Sequence, residues 1–229
     1  MRLIVMSDIH GNLTALDAVA ASLPPADRVI VAGDLCLEGP RPAETWDRLQ
    51  ELGWELIMGN TDRDIVENPP SVKSHARDVI AWTRQQLGAD RIAGLKQLPF
   101  SRRAGPDKTV LAVHANPKTM DQHLRPDMTP DELRPFLEGV EAEIIAFGHL
   151  HTPYIRPVGG YVLVDVSSVG HPKDRDLRAS YTIFEWDGLR RSITNIRVPY
   201  DVEKTVHELR TCGMPHGDKE AESLLKASY

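Results

Sequence analysis

Short apolar runs punctuate the first 150 residues, and each ends on a polar, metal-competent side chain. Leu3 to Met6 is the first such run and stops at Ser7-Asp8. An unbroken apolar run of that length predicts a strand buried on both faces. Leu13, Leu16, Ala20 and Leu23 then recur at helical spacing, and Pro24-Pro25 stops the helix. Arg28 to Ala32 predicts a second strand, Pro42 to Leu52 a helix and Trp54 to Met58 a third strand. This β-α-β-α-β alternation implies mostly parallel pairing with right-handed crossovers. Ile65 to Gln97 has helical and loop character, broken at Pro69-Pro70 and Gly88. Thr109 to Val113 and Glu143 to Phe147 are further strands, separated by a helix at Thr129 to Leu137 that opens on Thr129-Pro130-Asp131-Glu132.

Beyond residue 150 the pattern changes. Tyr154 to Arg156, Tyr161 to Asp165, Ala179 to Trp186 and Leu189 to Val198 alternate like antiparallel strands, and Asp187-Gly188 is a hairpin signal. Asp201 to Cys212 and Lys219 to Ala227 have the pattern of closing helices. There is no internal repeat and no linker rich in Ser or Gly. The expectation is one α/β domain over residues 1–229, built of two packed sheets flanked by helices and closed by helices from about residue 201.

Composition narrows the function classes. A chain of 229 residues with 41% hydrophobic and 26% charged content is ordinary for a globular protein. Its formal net charge of −6 and the lack of a basic stretch argue against a dedicated nucleic-acid-binding module. Two cysteines, Cys36 and Cys212, do not make a disulfide framework and fit a reducing compartment. No apolar run approaches the ~20 residues that span a bilayer. The apolar N-terminus is too short for a signal peptide. The expected location is cytoplasmic.

The chemistry lies in five clusters: Asp8-Ile9-His10, Gly33-Asp34, Gly59-Asn60-Thr61-Asp62, His114 and Gly148-His149-Leu150-His151. Each follows a predicted strand, and open α/β sheets bind ligands where strands deliver their carboxyl ends. Taken singly, each also fits a turn, a cap or a satisfied histidine. Together they gather two carboxylates, an amide oxygen and several imidazoles at one sheet edge. That mixed oxygen and nitrogen set suits Mn, Fe, Zn or Co better than Ca, which prefers oxygen alone. Asp8 and His10 stand two apart, so on an extended segment both face one ion; His149 and His151 share the spacing.

In this order the motifs resemble those of the calcineurin-like metallophosphoesterases, above all the compact bacterial and archaeal branch. The match rests on Asp8-Ile9-His10-Gly11-Asn12 near the start and Gly148-His149-Leu150-His151-Thr152-Pro153 late, and covers about residues 1 to 200. The resemblance implies a two-sheet sandwich flanked by helices in four layers, with a dinuclear centre. It places one ion on Asp8, His10, Asp34 and His151, and a second on Asp34, Asn60, His114 and His149, with Asp34 bridging. It implies two divalent ions, Mn foremost, with Fe, Zn, Ni or Co as substitutes. The implied reaction is hydrolysis of a small phosphate ester or nucleotide by attack of a metal-bridging hydroxide, with diesters favoured. A phosphomonoesterase and a dinucleoside polyphosphate hydrolase are the alternatives within this class. A scaffold protein that kept the fold and lost catalysis is the alternative outside it.

The chain departs from the family pattern at Thr61, where many members carry a histidine thought to protonate the leaving oxygen, and at Asp165-Val166-Ser167-Ser168-Val169-Gly170, where Asn-Pro-Gly-Ser-Val-Gly is common. His75 and His171 are candidate substitutes for the acid, against surface positions for both. Asn12 is placed either to hydrogen-bond a phosphoryl oxygen or to cap the helix from Leu13. Asp62 either orients His114 or His10, or is a helix N-terminal carboxylate beside Arg63. His171, Lys173 and Arg175 are candidate substrate contacts, with Arg178 as a further cation; a solvated charge run is the competing account. His123, His207 and His216 fall outside the motifs and are expected at the surface, and Cys36 is expected to be a buried apolar side chain.

Overall fold

The computed structural model describes residues 1–70, 74–188 and 190–229. In strand β1 (Arg2–Met6), Leu3 and Val5 point into one hydrophobic layer and Ile4 and Met6 into another, so the strand is buried on both faces. It lies parallel to β2 (Arg28–Val31), which lies parallel to β3 (Glu55–Leu56). Helices α1 (Leu13–Ser22) and α2 (Pro42–Leu52) make the crossovers. The far side of β1 carries an antiparallel hairpin, β9 (Ala179–Asp187) and β10 (Arg190–Val198), which completes a sheet ordered β10-β9-β1-β2-β3. The predicted start of that last strand at Leu189 lies outside the described residues.

The second sheet is ordered β4-β5-β6-β8-β7 and comprises Ser101–Ala104, Val110–Val113, Ile144–Phe147, Tyr161–Asp165 and Tyr154–Val158 in that order across the sheet. It too is mixed. Strands β5, β6 and β8 run parallel, while the edge strands β4 and β7 are antiparallel to their neighbours. The expectation that Tyr161 to Asp165 sits in a purely antiparallel array is therefore corrected: β8 is antiparallel to β7 and parallel to β6. Strand β4 was not foreseen. Its Ser-Arg-Arg-Ala sequence exposes Arg102 and Arg103 on a sheet edge and has no apolar alternation to reveal it.

Three hydrophobic clusters define the layers. Leu3, Val5, Ile30, Ile57, Val110, Ile144, Val164 and Phe184 fill the space between the sheets. Outside the first sheet lie α1, α2, α3 (Asn60–Glu67), α4 (Ser74–Leu95), α6 (Val202–Thr211) and α7 (Gly217–Lys226), packed through residues such as Leu16, Trp46, Ile65, Leu87, Leu209 and Leu224. Outside the second sheet, Leu133 and Leu137 of α5 (Pro130–Leu137) pack on Leu111, Ile145 and Phe147. The result is the expected αββα order, with two five-stranded sheets flanked by seven helices among the described residues. Helix α5 opens with a capping box between Thr129 and Glu132, and α4 departs from helical geometry at Gly88. Asn60-Thr61-Asp62 is the first turn of α3 and not a β-turn. Among the described residues no helix is long and apolar enough to cross a membrane.

Candidate metal centre

The carboxyl ends of β1, β2, β5 and β6, together with the start of α3, converge at one edge of the sandwich. Two groups of ligand atoms meet there. In the first, Asp8 Oδ1, His10 Nε2 and His151 Nε2 converge: His151 is 3.0 Å from Asp8 and 3.3 Å from His10. In the second, His114 Nε2 lies 2.8 Å from Asn60 Oδ1, 3.2 Å from His149 Nδ1 and 3.4 Å from Asp34 Oδ1. The other oxygen of Asp34, Oδ2, lies 3.8 Å from His10 Nε2, so one carboxylate faces both groups.

Each imidazole is held by its outer nitrogen. His10 Nδ1 donates to Leu37 O at 3.0 Å, His114 Nδ1 to Ala32 O at 2.9 Å and His149 Nε2 to Asp121 O at 3.1 Å. His151 Nδ1 donates to His171 O. A carbonyl can only accept, so each pairing fixes one proton on the outer nitrogen and leaves the inner nitrogen as the one available to a metal. His149 alone presents Nδ1, because its Nε2 is the nitrogen bound to the Asp121 carbonyl.

The backbone is distorted to achieve this. Asp8, His10, Asp34, His149 and His151 all have positive φ, between 49° and 68°. Left-handed geometry costs a non-glycine residue about 1–2 kcal/mol, and such strain collects at functional sites. It also corrects the geometric argument from spacing. Asp8 and His10 are not on an extended segment, although both face the first group, and His149 and His151 point into different groups. Gly148 permits the close approach between β1 and β6. A Cβ there would stand 2.1 Å from Asp8 Oδ2, the oxygen that accepts the His149 N–H at 2.9 Å.

Charge follows the geometry. Burial alone would raise the Asp8 carboxyl, but His151 and His10 outweigh it and hold it well below its ordinary range. Burial alone would lower His10, yet the Asp8, Asp34 and Glu38 carboxylates raise it to about 10. His114 is raised on the same balance, burial being outweighed by Asp34 and Asp8. Burial and the neighbouring His114 push His149 down to about 4. Negative charge and proton-binding nitrogens thus coexist among largely buried side chains, a state that divalent cations relieve.

Asp62 does not touch His114 or His10, which corrects the orienting role considered for it. Its carboxylate accepts the N–H groups of Asp34 (2.8 Å), Leu35 (2.9 Å) and Gly59 (3.0 Å), tying the Asp34 loop to α3. Burial and the Asp34 charge raise it to about 6. Arg63 turns away from it to Asp64 and Asp121. Thr61 donates its N–H to Asp34 Oδ1 at 3.0 Å, and its buried hydroxyl has no protein partner. Asn12 is a helix cap. Its Oδ1 accepts from Ala15 N and Thr205 Oγ1, and its Nδ2 donates to Gly170 O and Tyr200 Oη, so its amide is fully used within the fold.

The remaining candidates separate. His171 is buried, its ring 5.9 Å from His10 and 6.0 Å from His151, and its Nε2 meets Lys173 Nζ at 3.0 Å and Ser223 Oγ at 3.2 Å. Arg175 is exposed, Arg178 pairs with Asp176, and Asp174 pairs with Arg197, so residues 174–178 form largely a charge network. His75 sits on α4 with its ring 6.1 Å from His216, and does not join the metal groups. His207 and His216 are exposed and Cys36 is buried, as expected. His123 is exposed as well, as expected, but it also touches the site. Its ring stacks on His149 at 4.3 Å and 25°, a placement that only the loop ahead of α5 creates and that no sequence spacing signals.

Comparison with known proteins agrees with this geometry. Residues 1–188 match the model of the calcineurin-like phosphoesterase superfamily domain. An uncharacterized protein of Methanocaldococcus jannaschii is 27% identical over 227 residues, covering 90% of each chain. The crystal structure of a metallophosphoesterase from Sphaerobacter thermophilus is similar over 99% of both chains, with 26% identity and a TM-score of 0.83. That of a hypothetical protein from Pyrococcus horikoshii shares the fold, with a TM-score of 0.86 at 18% identity over 99% of this chain and 98% of its own. With ligand residues, layer order and family model in agreement, the chain belongs to the calcineurin-like phosphoesterase superfamily.

Proposed function

We propose that the protein is a two-metal phosphoesterase acting on phosphodiesters of small or nucleotide-like substrates. The observation that carries this reading is the set of four imidazoles, each anchored outward on a backbone carbonyl and each turning its other nitrogen towards a buried carboxylate. Asp8, His10, Asp34 and His151 would hold one divalent ion, and Asp34, Asn60, His114 and His149 the other. The donor set fits: mixed imidazole, carboxylate and amide ligands without thiolate suit Mn, Fe, Zn, Ni or Co alike, and the family resemblance puts Mn first among them. Bound ions would supply charge neutralisation at the phosphoryl oxygens and activation of a water.

The chain's own residues supply position and dryness. Asp62 fixes the Asp34 loop through three backbone N–H groups, and the Thr61 N–H holds the Asp34 carboxylate. Thr61 offers no proton donor of useful acidity, so the proposal favours esters whose leaving group departs unprotonated. His171 and Lys173, bridged by Ser223, stand at the rim beside His10 and are placed to meet a substrate's further polar group. A scaffold role finds no support in the ligand set, since all seven positions hold competent donors. The helices from residue 201 belong to the same folding unit on this view, because Val206, Leu209, Ala221 and Leu224 share the hydrophobic cluster of α1 and α2. Two free thiols support a reducing, cytoplasmic setting.

The test is hydrolysis of bis-p-nitrophenyl phosphate beside p-nitrophenyl phosphate, after chelation and re-addition of Mn. Mn-dependent turnover of the diester, with little of the monoester, is the expected result. Preference for the monoester moves the assignment to a phosphatase, and no turnover with either ester, at two bound ions, returns it to a binding protein.

A further inference from the structure

His149 is held from two directions by one segment. The Asp121 carbonyl accepts its Nε2–H at 3.1 Å, and the His123 ring lies flat against it at 4.3 Å. Both come from the loop between β5 and α5, which is exposed at 121–123. Within the loop, Asn116 ties the backbone at Lys118, Thr119 and Gln122, and Leu124 is buried. The tie to the rest of the site is an ion pair. Arg63 Nη1 and Nη2 reach the two oxygens of Asp121, each at 2.9 Å, in the bidentate fork that fixes orientation as well as distance. Arg63 also bonds Asp64 Oδ1 at 3.0 Å, which fixes the guanidinium on α3. Helix α3 begins with Asn60, the amide ligand of the same metal group.

We infer that the Arg63–Asp121 pair is a positioning device for the second metal group: it locks the loop that orients His149 to the helix that carries Asn60, and so sets that group's metal affinity without touching the ion. The inference rests on the two-metal reading above. His149 needs such support more than its counterparts. His10 and His114 are anchored on Leu37 and Ala32, next to the β2–α2 turn, whereas the anchor of His149 is an exposed loop. Outer partners of metal-binding histidines typically change affinity by about tenfold to a hundredfold. At 28% and 54% side-chain exposure the pair itself is a surface salt bridge, so its loss leaves the fold intact.

The experiment is titration of the metal-free protein with Mn, following free Mn by electron paramagnetic resonance, for the wild type, Arg63→Leu, Asp121→Ala, the double variant and His149→Ala. His149→Ala marks which class of site is the second group. The expected result is two ions on the wild type, with that class weakened about tenfold in each single variant and the other class unchanged. The double variant should be no weaker than either single variant, because both act through one contact, and all four should melt with the wild type when metal-free. Equal weakening of both classes, unchanged affinities, or losses that multiply in the double variant would overturn the inference. Fewer than two ions on the wild type would overturn the two-metal reading together with it.

Discussion

Gly170→Ala should be among the most damaging single-methyl additions to this protein, and its cost can be worked from the structure. A Cβ at residue 170 would stand 1.8 Å from the Ile9 carbonyl oxygen, which is 1.6 Å short of the 3.4 Å at which ordinary contact begins. The loop has nowhere to go without breaking bonds. Gly170 N donates to Asp8 O at 2.9 Å and Asn12 Nδ2 donates to Gly170 O at 3.1 Å, while Val169 N and Ser168 Oγ bond Ser7 O and Asp8 O at 2.9 and 2.7 Å. A shift of that size takes at least the first two beyond hydrogen-bond range. Each buried group left unpaired costs about 1–3 kcal/mol, and overpacking adds about 1–3. The sum is about 3–9 kcal/mol, against a total stability of roughly 5–15 kcal/mol. Gly139→Ala is the control: its φ of 75° is left-handed but nothing lies within 4 Å, so only the backbone preference is lost, about 1–2 kcal/mol. Urea unfolding in chelator, followed by tryptophan fluorescence, separates the two. With a slope near 2.5 kcal/mol/M, the midpoint should fall by at least about 1.2 M for Gly170→Ala and by about 0.5 M for Gly139→Ala. Equal midpoints for the two variants would refute the claim that backbone contact between the first strand's exit loop and the 168–171 loop builds the site.

Three further outcomes follow from the site. His10 has a folded pKa raised from 6.5 to about 10, so its charge stabilises the metal-free chain fully below pH 6.5 and that contribution is lost as pH climbs towards 10; since metal must displace this proton, calorimetry in buffers of different ionisation enthalpy should show proton release on loading at pH 7, and none would contradict it. Asp165 is buried with Oδ2 unpartnered and its carboxyl held well above the ordinary 3.8, so its contribution is present below that value and lost as pH rises; Asp165→Asn, a mimic of the protonated acid, should cost less than about 1 kcal/mol at pH 7 in a urea titration, and a loss above about 2 would count against it. Thr61→His should raise turnover of alkyl diesters relative to aryl diesters if protonation of the leaving group limits the rate, and an unchanged ratio of the two kcat values would count against that limit.

Much of the site was legible because its ligands sit where apolar runs stop. Met6-Ser7-Asp8, Ala32-Gly33-Asp34, Val113-His114 and Phe147-Gly148-His149 each mark a strand delivering a ligand, and a strand buried on both faces is unmistakable in sequence. What was not legible depends on conformation or on distant partners. The left-handed backbone at His149 and His151 sends side chains two residues apart into different groups, which an extended-strand argument cannot anticipate, whereas Asp8 and His10, equally left-handed, still share one group. The start of α3 at Asn60 was readable in principle, since a glycine N-cap with an acid at the third helical position is a helix opening. His123 and Asp121 lie in a polar loop without periodicity, so their contact with His149 exists only in the fold.

The central claim is that two ions on one carboxylate-bridged cluster perform the reaction. The most direct measurement is the rate of bis-p-nitrophenyl phosphate hydrolysis by metal-stripped protein as a function of Mn bound per chain. The account predicts no turnover without metal, little at one ion and full activity at two. Full activity in the stripped protein, or saturation at a single ion, would contradict it.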